Sequence, residues 1–477
     1  MLIWFVMLYL MVSVGIGLYA SKRVHNSRDF VVAGRNLPMP VVTATVFATW
    51  FGAETVLGTS ATFVQEGMGG VVADPFGASM CLIIAGLFFA PLLYRMNLLT
   101  LGDYYRIRFN GKVELLMSLF IMSSYIGWVA AQIVALGLVF NVVTNGAISQ
   151  EAGMVLGLSV VLAYTIFGGM WSVAMLDFVQ MAVIMSALIL IAIVISGEVG
   201  GVSYVVSQAD AAGKLDFFPS GGMEVWVPFI GAALTMMLGS IPQQDVFQRM
   251  TSAKTEKIAV RGTVLGGMLY FAFAFIPMFL AFAATLIDPT FFNGLVESDS
   301  QMVLPNLILN HTPMIAQIFF FGALLSAIMS TASATLLAPS AMFTENILKH
   351  FALKDMSDKQ MLLTLRVTLV AFSGMVLWFA MNSESSIFHM VEEAYSVTLV
   401  GAFVPLAFGL FWKRANNQGA ALSIVMGVVA WQSMELFVTD TYWPSQLVGL
   451  LFSAIGMVIG SLLPRMMNRQ PEMQTNS

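Results

Sequence analysis

The sequence predicts an all-helical integral membrane protein of about thirteen transmembrane helices, and three observations carry that expectation. Only 10% of the 477 residues are charged and 58% are hydrophobic, against roughly 25% charged and 45–50% apolar in a soluble domain. Uncharged runs of about 20 residues, the length a bilayer requires, recur along the chain. The basic residues then sort onto one side of those runs. The same composition excludes a disordered, coiled-coil, collagen-like or nucleic-acid-binding protein, since a net charge of −5 offers nothing to a polyanion. Cys81 stands alone, so neither a disulfide framework nor a cysteine metal cluster is available.

The spans follow in order. Leu2–Ser21 is a retained first helix rather than a signal peptide, because no basic segment precedes it and Lys22 and Arg23 follow it. About Pro38–Val64 comes next, apolar except for Glu54. Then come Pro75–Tyr94, Leu115–Gln150, Ala152–Leu176, Phe178–Gly197, Val225–Gln244 and Gly262–Ile287. Ser300–Thr344 holds a polar approach and a single span. Val367–Ser383, Ala394–Trp412, Ala415–Met434 and Thr441–Pro464 complete the set. Residues 465–477 read as a short disordered tail, and the loops near 198–224 and 288–312 are short for a soluble domain.

Charge tests the count. With thirteen spans and the N-terminus outside, twenty of the twenty-one Lys and Arg fall on inside connections and only Lys214 falls outside. The inside set runs from Lys22 and Arg23 through Arg95, Arg106, Arg249, Lys254, Lys349 and Lys354 to Arg465 and Arg469. A single missed span would invert every later loop, so agreement this complete supports the topology. The C-terminus then lies in the cytoplasm.

Four places interrupt the apolar helices. An ionisable group in mid-membrane costs about 2.5–3.5 kcal/mol on insertion scales, which makes each a functional hypothesis. Glu54 sits mid-span in Ala48-Thr-Trp-Phe-Gly-Ala-Glu-Thr55, and Asp177 opens the sixth span after Phe167-Gly-Gly-Met-Trp171. Gly239-Ser-Ile-Pro-Gln-Gln-Asp245 breaks the seventh, and Ser326-Ala-Ile-Met-Ser-Thr-Ala-Ser333 loads hydroxyls into the ninth. Plainer readings exist: a helix-packing surface for Ser326–Ser333, an N-terminal interfacial carboxylate for Asp177, a simple kink for Pro242. Asp245 reads as a gate or interface residue, and Glu392 and Glu393 as water-facing. Unwound carbonyls beside hydroxyls form an oxygen site for a hard alkali cation, and free backbone at membrane depth must line a cavity or be buried. The second and seventh spans are five apart, as an inverted repeat of five helices requires.

Together these stretches resemble the sodium/solute symporter family from about Asp29 to Pro464. The carriers are Asp29-Phe-Val-Val-Ala-Gly-Arg35, Phe47-Ala-Thr-Trp-Phe-Gly52, Gly168-Gly-Met-Trp-Ser-Val-Ala174 with Asp177-Phe-Val-Gln180, and Ala327-Ile-Met-Ser-Thr-Ala-Ser333 with Glu345-Asn-Ile347. The resemblance implies a LeuT-type core of two inverted five-helix repeats, residues 38–196 and 225–412. One helix (1–21) precedes the core and two (415–464) follow it. It implies a sodium site of the Ala48, Phe51 and Ala327 carbonyls with the Ser330 and Thr331 hydroxyls. A second sodium would use Asp177, Ser330 and Ser333, where the adjacent position is Ala334 rather than a hydroxyl.

The expected function is sodium-coupled symport of a small organic solute by alternating access, with an amino acid or quaternary amine favoured and a sugar or monocarboxylate as the alternative. Trp50 matches the position where choline transporters of the family offer an aromatic face, and cation–π attraction is the reason for such a residue. A further Trp of those transporters is here Gln243, and Glu54 and Thr55 replace part of a Gly-rich stretch. Trp50, Glu54, Thr55, Gln243 and Gln244 are therefore the expected solute contacts. Four scattered His and no nucleophile–base pair argue against an enzyme. A sensor would need a separate signalling partner. The expected associates are Na⁺, the solute and the bilayer of a bacterial inner membrane. No organic cofactor, transition metal, nucleic acid or obligatory protein partner is expected.

Overall fold

The computed structural model describes residues 2–464 apart from 354, 384 and 439. Lys354, Arg465, Arg469 and the 465–477 tail lie outside the described residues. Every regular element among the described residues is helical, and the only β-bridge pairs Leu37 with Ala253. Helices are what the composition demands, because lipid cannot satisfy an open backbone.

The chain opens with α1 (Leu2–Ala20). It continues through α2 (Met39–Trp50), α3 (Glu54–Glu66) and α4 (Val72–Arg95) to a short connecting helix, α5 (Leu101–Arg108). Then follow α6 (Gly111–Val143) and α7 (Gln150–Glu198). The second part holds α8 (Met223–Gly239), α9 (Gln244–Thr251), α10 (Glu256–Ile287), α11 (Met314–Ala352) and α12 (Asp358–Met381). It closes with α13 (Ile387–Phe411), α14 (Asn417–Phe437) and α15 (Ser445–Leu462).

Among the described residues ten helices are long and apolar enough to cross a membrane, or up to twelve if each of two bent pairs is one span. The bent pairs are α2 with α3, at 54°, and α8 with α9, at 47°. They fall on the two interruptions expected around Glu54 and Pro242. The 49-residue α7 holds a further break at Gly169 (φ 47°, ψ −136°), a conformation that suits glycine. A Cβ there would meet the Phe30 carbonyl at 2.3 Å. This corrects the expected boundary: the break lies at Gly169, not at Asp177, which sits about two turns inside a continuous helix. At 1.5 Å per residue α7 would extend roughly 73 Å if straight, more than twice the hydrocarbon thickness.

The core lies where α2, α6, α7, α10 and α11 meet. α11 is buried almost throughout its middle, from Phe320 to Met342. α1 and α14, by contrast, keep broad apolar faces outward, with Trp4 75% and Phe437 80% exposed. Such surfaces would be aggregation-prone in water and are ordinary in lipid. At one end of the bundle, capping locks the short segments. Thr100 and Asp103 form a reciprocal capping box on α5, and Asn110 caps α6 through the Lys112 and Val113 amides.

Candidate ion and solute site

The break between α2 and α3 organises the centre. Phe51 (φ −85°, ψ 69°) leaves the helical region. In a continuous helix the Ala53 amide would go to the Thr49 carbonyl. Here it donates to Gln132 Oε1 at 3.0 Å. Gly52 must lack a side chain, since a Cβ would meet Glu54 Oε2 at 2.5 Å and Thr331 Oγ1 at 2.6 Å. The unwound stretch is thus pressed onto α6 on one side and α11 on the other.

On the α11 side, the hydroxyls divide. Thr331 faces Gly52 and donates to the Ala327 carbonyl at 3.2 Å. Ser330 turns the other way and donates to Asp177 Oδ1 at 2.6 Å. Ser333 donates to the Ser330 carbonyl at 3.0 Å. Asp177 is fully buried, and its Oδ2 has no hydrogen-bond partner. Buried polar atoms are rarely left unpaired, and a lone carboxylate oxygen beside two serines is chemistry suited to a cation. The α2 helix that carries Ala48 packs against α11, which carries Ala327, Ser330 and Thr331; of the two hydroxyls Thr331 faces the Gly52 break and Ser330 faces Asp177.

On the α6 side lies Glu54, buried among polar and aromatic groups. Its Oε1 accepts from Trp128 Nε1 at 3.1 Å and its Oε2 from Gln132 Nε2 at 2.7 Å. Trp50 packs edge-on against Trp128 at 5.8 Å and stacks on Tyr395 at 6.0 Å, while Trp128 and Tyr395 lie 5.4 Å apart. Three rings from α2, α6 and α13 therefore pack on one another, and one of them, Trp128, donates to the carboxylate. The Tyr395 hydroxyl is buried without a partner.

A second carboxylate stands beside Glu54. Asp74, at the broken start of α4, accepts from Tyr270 of α10 and from Thr59 at 2.9 Å. Thr55 pairs with the Tyr270 hydroxyl at 2.9 Å. A cavity of about 600 Å³, lined by Gly58, Thr62, Glu66, Phe388 and Glu392 among others, leads from the surface towards this region. Gly58, in its lining, is four residues along α3 from Glu54.

The remaining expected contacts separate. Gln243 exchanges hydrogen bonds with Ser124, donating at 2.9 Å, and donates to Thr398 at 3.4 Å, so it ties the α8–α9 break to α6 and α13. Gln244 faces away from the rings, with its Oε1 accepting from the Leu101 amide of α5 at 2.7 Å. Asp245 is fully buried, accepting from the Tyr125 hydroxyl at 2.5 Å, and its Oδ2 is unpaired.

Five groups escaped the sequence reading. Asp74 stands immediately before the apolar run that opens at Pro75, a place that in sequence is only the edge of a span. Trp128 and Gln132 lay inside an uncharged run with nothing nearby to mark them, and Tyr395 stood at a span's start. Arg249 was counted with the inside connections, yet it is 1% exposed. Its Nε donates to Thr49 Oγ1 at 3.1 Å and one Nη to the Asp245 carbonyl at 3.3 Å, with the other Nη unpaired. An Asp–Arg pair at i, i+4 ahead of a long loop was the available signal.

Comparison with known proteins shows the family and the fold. The sodium:solute symporter family model matches residues 30–427. The human high affinity choline transporter 1 is 27% identical over 90% of this chain and 75% of its own length. The osmoregulated proline transporter of Bacillus subtilis is 26% identical over 96% and 94%. The structure of a Na⁺-coupled sialic acid symporter superposes with a TM-score of 0.82 at 20% identity, covering 96% of this chain and 97% of that one, which shows the LeuT-type fold. The chain belongs to the sodium:solute symporter family and is a sodium-coupled symporter of a small organic solute.

Proposed function

We propose that the solute carries a positively charged nitrogen, as an amino acid or a quaternary amine does, and that Trp50, Trp128, Tyr395 and Glu54 hold it. The observation that carries this reading is the cluster of Trp50, Trp128 and Tyr395 packed ring on ring, with the indole of Trp128 donating to the buried Glu54 carboxylate. Ring faces and a carboxylate attract the same ligand, an organic cation, and a desolvated cation–π contact is worth about 2 kcal/mol. Asp74 adds a second negative group one layer away, linked through Thr55 and Tyr270. That pairing opposes a solute bearing only a carboxylate. Choline and proline, named for the human and Bacillus relatives, both carry such a nitrogen. Gln243 and Thr55 contribute polar contacts at the edge of the site, while Gln244 serves the α5 junction.

One sodium ion sits at the α2–α3 break, on the Ala48, Phe51 and Ala327 carbonyls and the Ser330 and Thr331 hydroxyls. A second uses Asp177, Ser330 and Ser333, and the unpaired Asp177 Oδ2 supports it. One Na⁺ moving through about 100 mV gains about 2.3 kcal/mol, and a tenfold gradient adds about 1.4 kcal/mol. Together these sustain roughly 500-fold accumulation, and a second ion squares that figure. Residues 38–196 and 225–412 form the two repeats, each opening on a bent pair. With α7 divided at Gly169 the chain crosses a bacterial plasma membrane thirteen times, N-terminus outside.

A thermal-shift screen of purified protein tests the reading. Choline or proline should stabilise it by RT ln(1 + [L]/Kd), and more strongly in Na⁺ than in K⁺. A sodium-linked shift with glucose or lactate and none with either nitrogen compound overturns it.

A further inference from the structure

Away from the transport site, the outer wall of the bundle carries a groove of about 670 Å³ between α1, the start of α2 and the stretch of α7 after its break. Val12, Gly15, Ile16, Val41, Met175 and Phe178 make its walls apolar. One end is different. Arg23 lies over the Trp171 ring at 4.9 Å and Lys22 over Tyr19 at 5.5 Å. The Trp171 indole nitrogen is buried and has no hydrogen-bond partner. Arg23 is exposed, and no carboxylate pairs with it among the described residues.

We propose that this groove binds one anionic phospholipid, its acyl chain along Val12–Ile16 and its phosphate at the Arg23 guanidinium. Length fixes the occupant. From Val12 to Arg23 the helix rises roughly 16 Å, half of the roughly 30 Å hydrocarbon core, so the groove accommodates a single leaflet's chain. Chemistry fixes the headgroup: a guanidinium with no acidic partner among the described residues stands at the end of the groove where Tyr19 and Trp171 mark the interface. A zwitterionic lipid offers the same phosphate but carries a cation that Lys22 and Arg23 repel. The groove also touches the start of α2 at Pro38 and the stretch of α7 that follows the Gly169 break at Trp171. The site does not depend on the solute proposed above; only the name of its leaflet, the cytoplasmic one, follows from the orientation.

Native mass spectrometry of the full chain in detergent, with phosphatidylglycerol or phosphatidylcholine added, tests this. One phosphatidylglycerol should stay bound at high collision energy, at least fivefold more than phosphatidylcholine. Arg23→Gln should abolish that preference. Gly15→Leu should cut retention of both lipids, because a Cβ at Gly15 meets no atom within 4 Å and the larger side chain fills the groove without disturbing the backbone. Glycerol phosphate without acyl chains should not bind. Equal retention by wild type, Arg23→Gln and Gly15→Leu overturns the proposal, as does a lipid-free second copy of the chain protecting this face. Both variants should keep the wild-type elution volume and sodium-linked thermal shift, so a loss of lipid is not a loss of fold.

Discussion

Two pairs of buried acids occupy the centre of this protein, and they are built differently. Around Glu54 and Asp74 every carboxylate oxygen has a protein donor: Trp128, Gln132, Tyr270 and Thr59. Around Asp177 and Asp245 each carboxylate keeps one oxygen with no partner, and Arg249 beside them keeps an unpaired nitrogen. An unpaired buried polar group costs about 1–3 kcal/mol, and more when charged. The saturated pair is therefore self-consistent, while the unsaturated pair has coordination to give. A sodium ion needs oxygen lone pairs, and a solute that exchanges hydrogen bonds with a satisfied carboxylate binds at lower net gain. The contrast supports the proposed division, with ion chemistry on the Asp177 side and solute recognition on the Glu54 side.

The largest effects should come from two substitutions on the ion side, Thr331→Ala and Asp177→Asn. Asp177→Asn keeps the shape and the acceptor for Ser330 but removes the charge. The sodium concentration for half-maximal uptake in proteoliposomes should rise at least tenfold, with solute affinity at saturating sodium within threefold of wild type. Unchanged sodium dependence would erase the difference between the two pairs. Thr331→Ala, which removes the hydroxyl facing the Gly52 break, should abolish sodium-dependent uptake while the protein still elutes as a folded species.

Next in size is Glu54→Gln. The amide still accepts from Trp128 but meets Gln132 donor to donor, and the charge facing the rings is gone. Hydrogen bonds to charged groups contribute about 1.5–3 kcal/mol, so solute affinity should fall roughly 10- to 100-fold. Sodium affinity measured by thermal shift without solute should move less than threefold. A larger loss of sodium than of solute binding would reverse the assignment of the two acids.

These two acids also show what was legible before the structure. Glu54 and Asp177 stood out because each is a lone charge within apolar sequence, a signal that needs no fold. Both bent pairs were legible too, through Gly52 and Gly58 around Glu54 and through Gly239 and Pro242. Asp74 was not, because a carboxylate just before Pro75 looks like a span's edge until the fold turns it inward against Tyr270. Nor were the rings: Trp128 and Tyr395 are 267 positions apart in sequence, and only the packing of α6 against α13 brings them to 5.4 Å. Arg249 shows the opposite failure, where a sorting rule for loop cations absorbed a residue that the fold buries. Local exceptions to composition were readable; convergence of distant residues was not.

Trp128→Phe should have the smallest effect and is the most discriminating. It keeps a ring at the contact with Trp50 and Tyr395 but deletes the indole N–H that donates to Glu54. A carboxylate left with one acceptor site free becomes more like Asp177. Solute affinity should fall about three- to tenfold, because an indole face attracts a cation better than a phenyl face does and Glu54 loses its positioning donor. The same variant should also show sodium-induced stabilisation above wild type in the absence of solute, since Glu54 Oε1 then offers an unpaired oxygen close to the α2–α3 break. If hydrogen-bond saturation is what separates solute acid from ion acid, one deleted donor moves Glu54 part of the way across. If sodium stabilisation does not rise, the separation rests instead on the distance of each carboxylate from the Ser330–Thr331 hydroxyls.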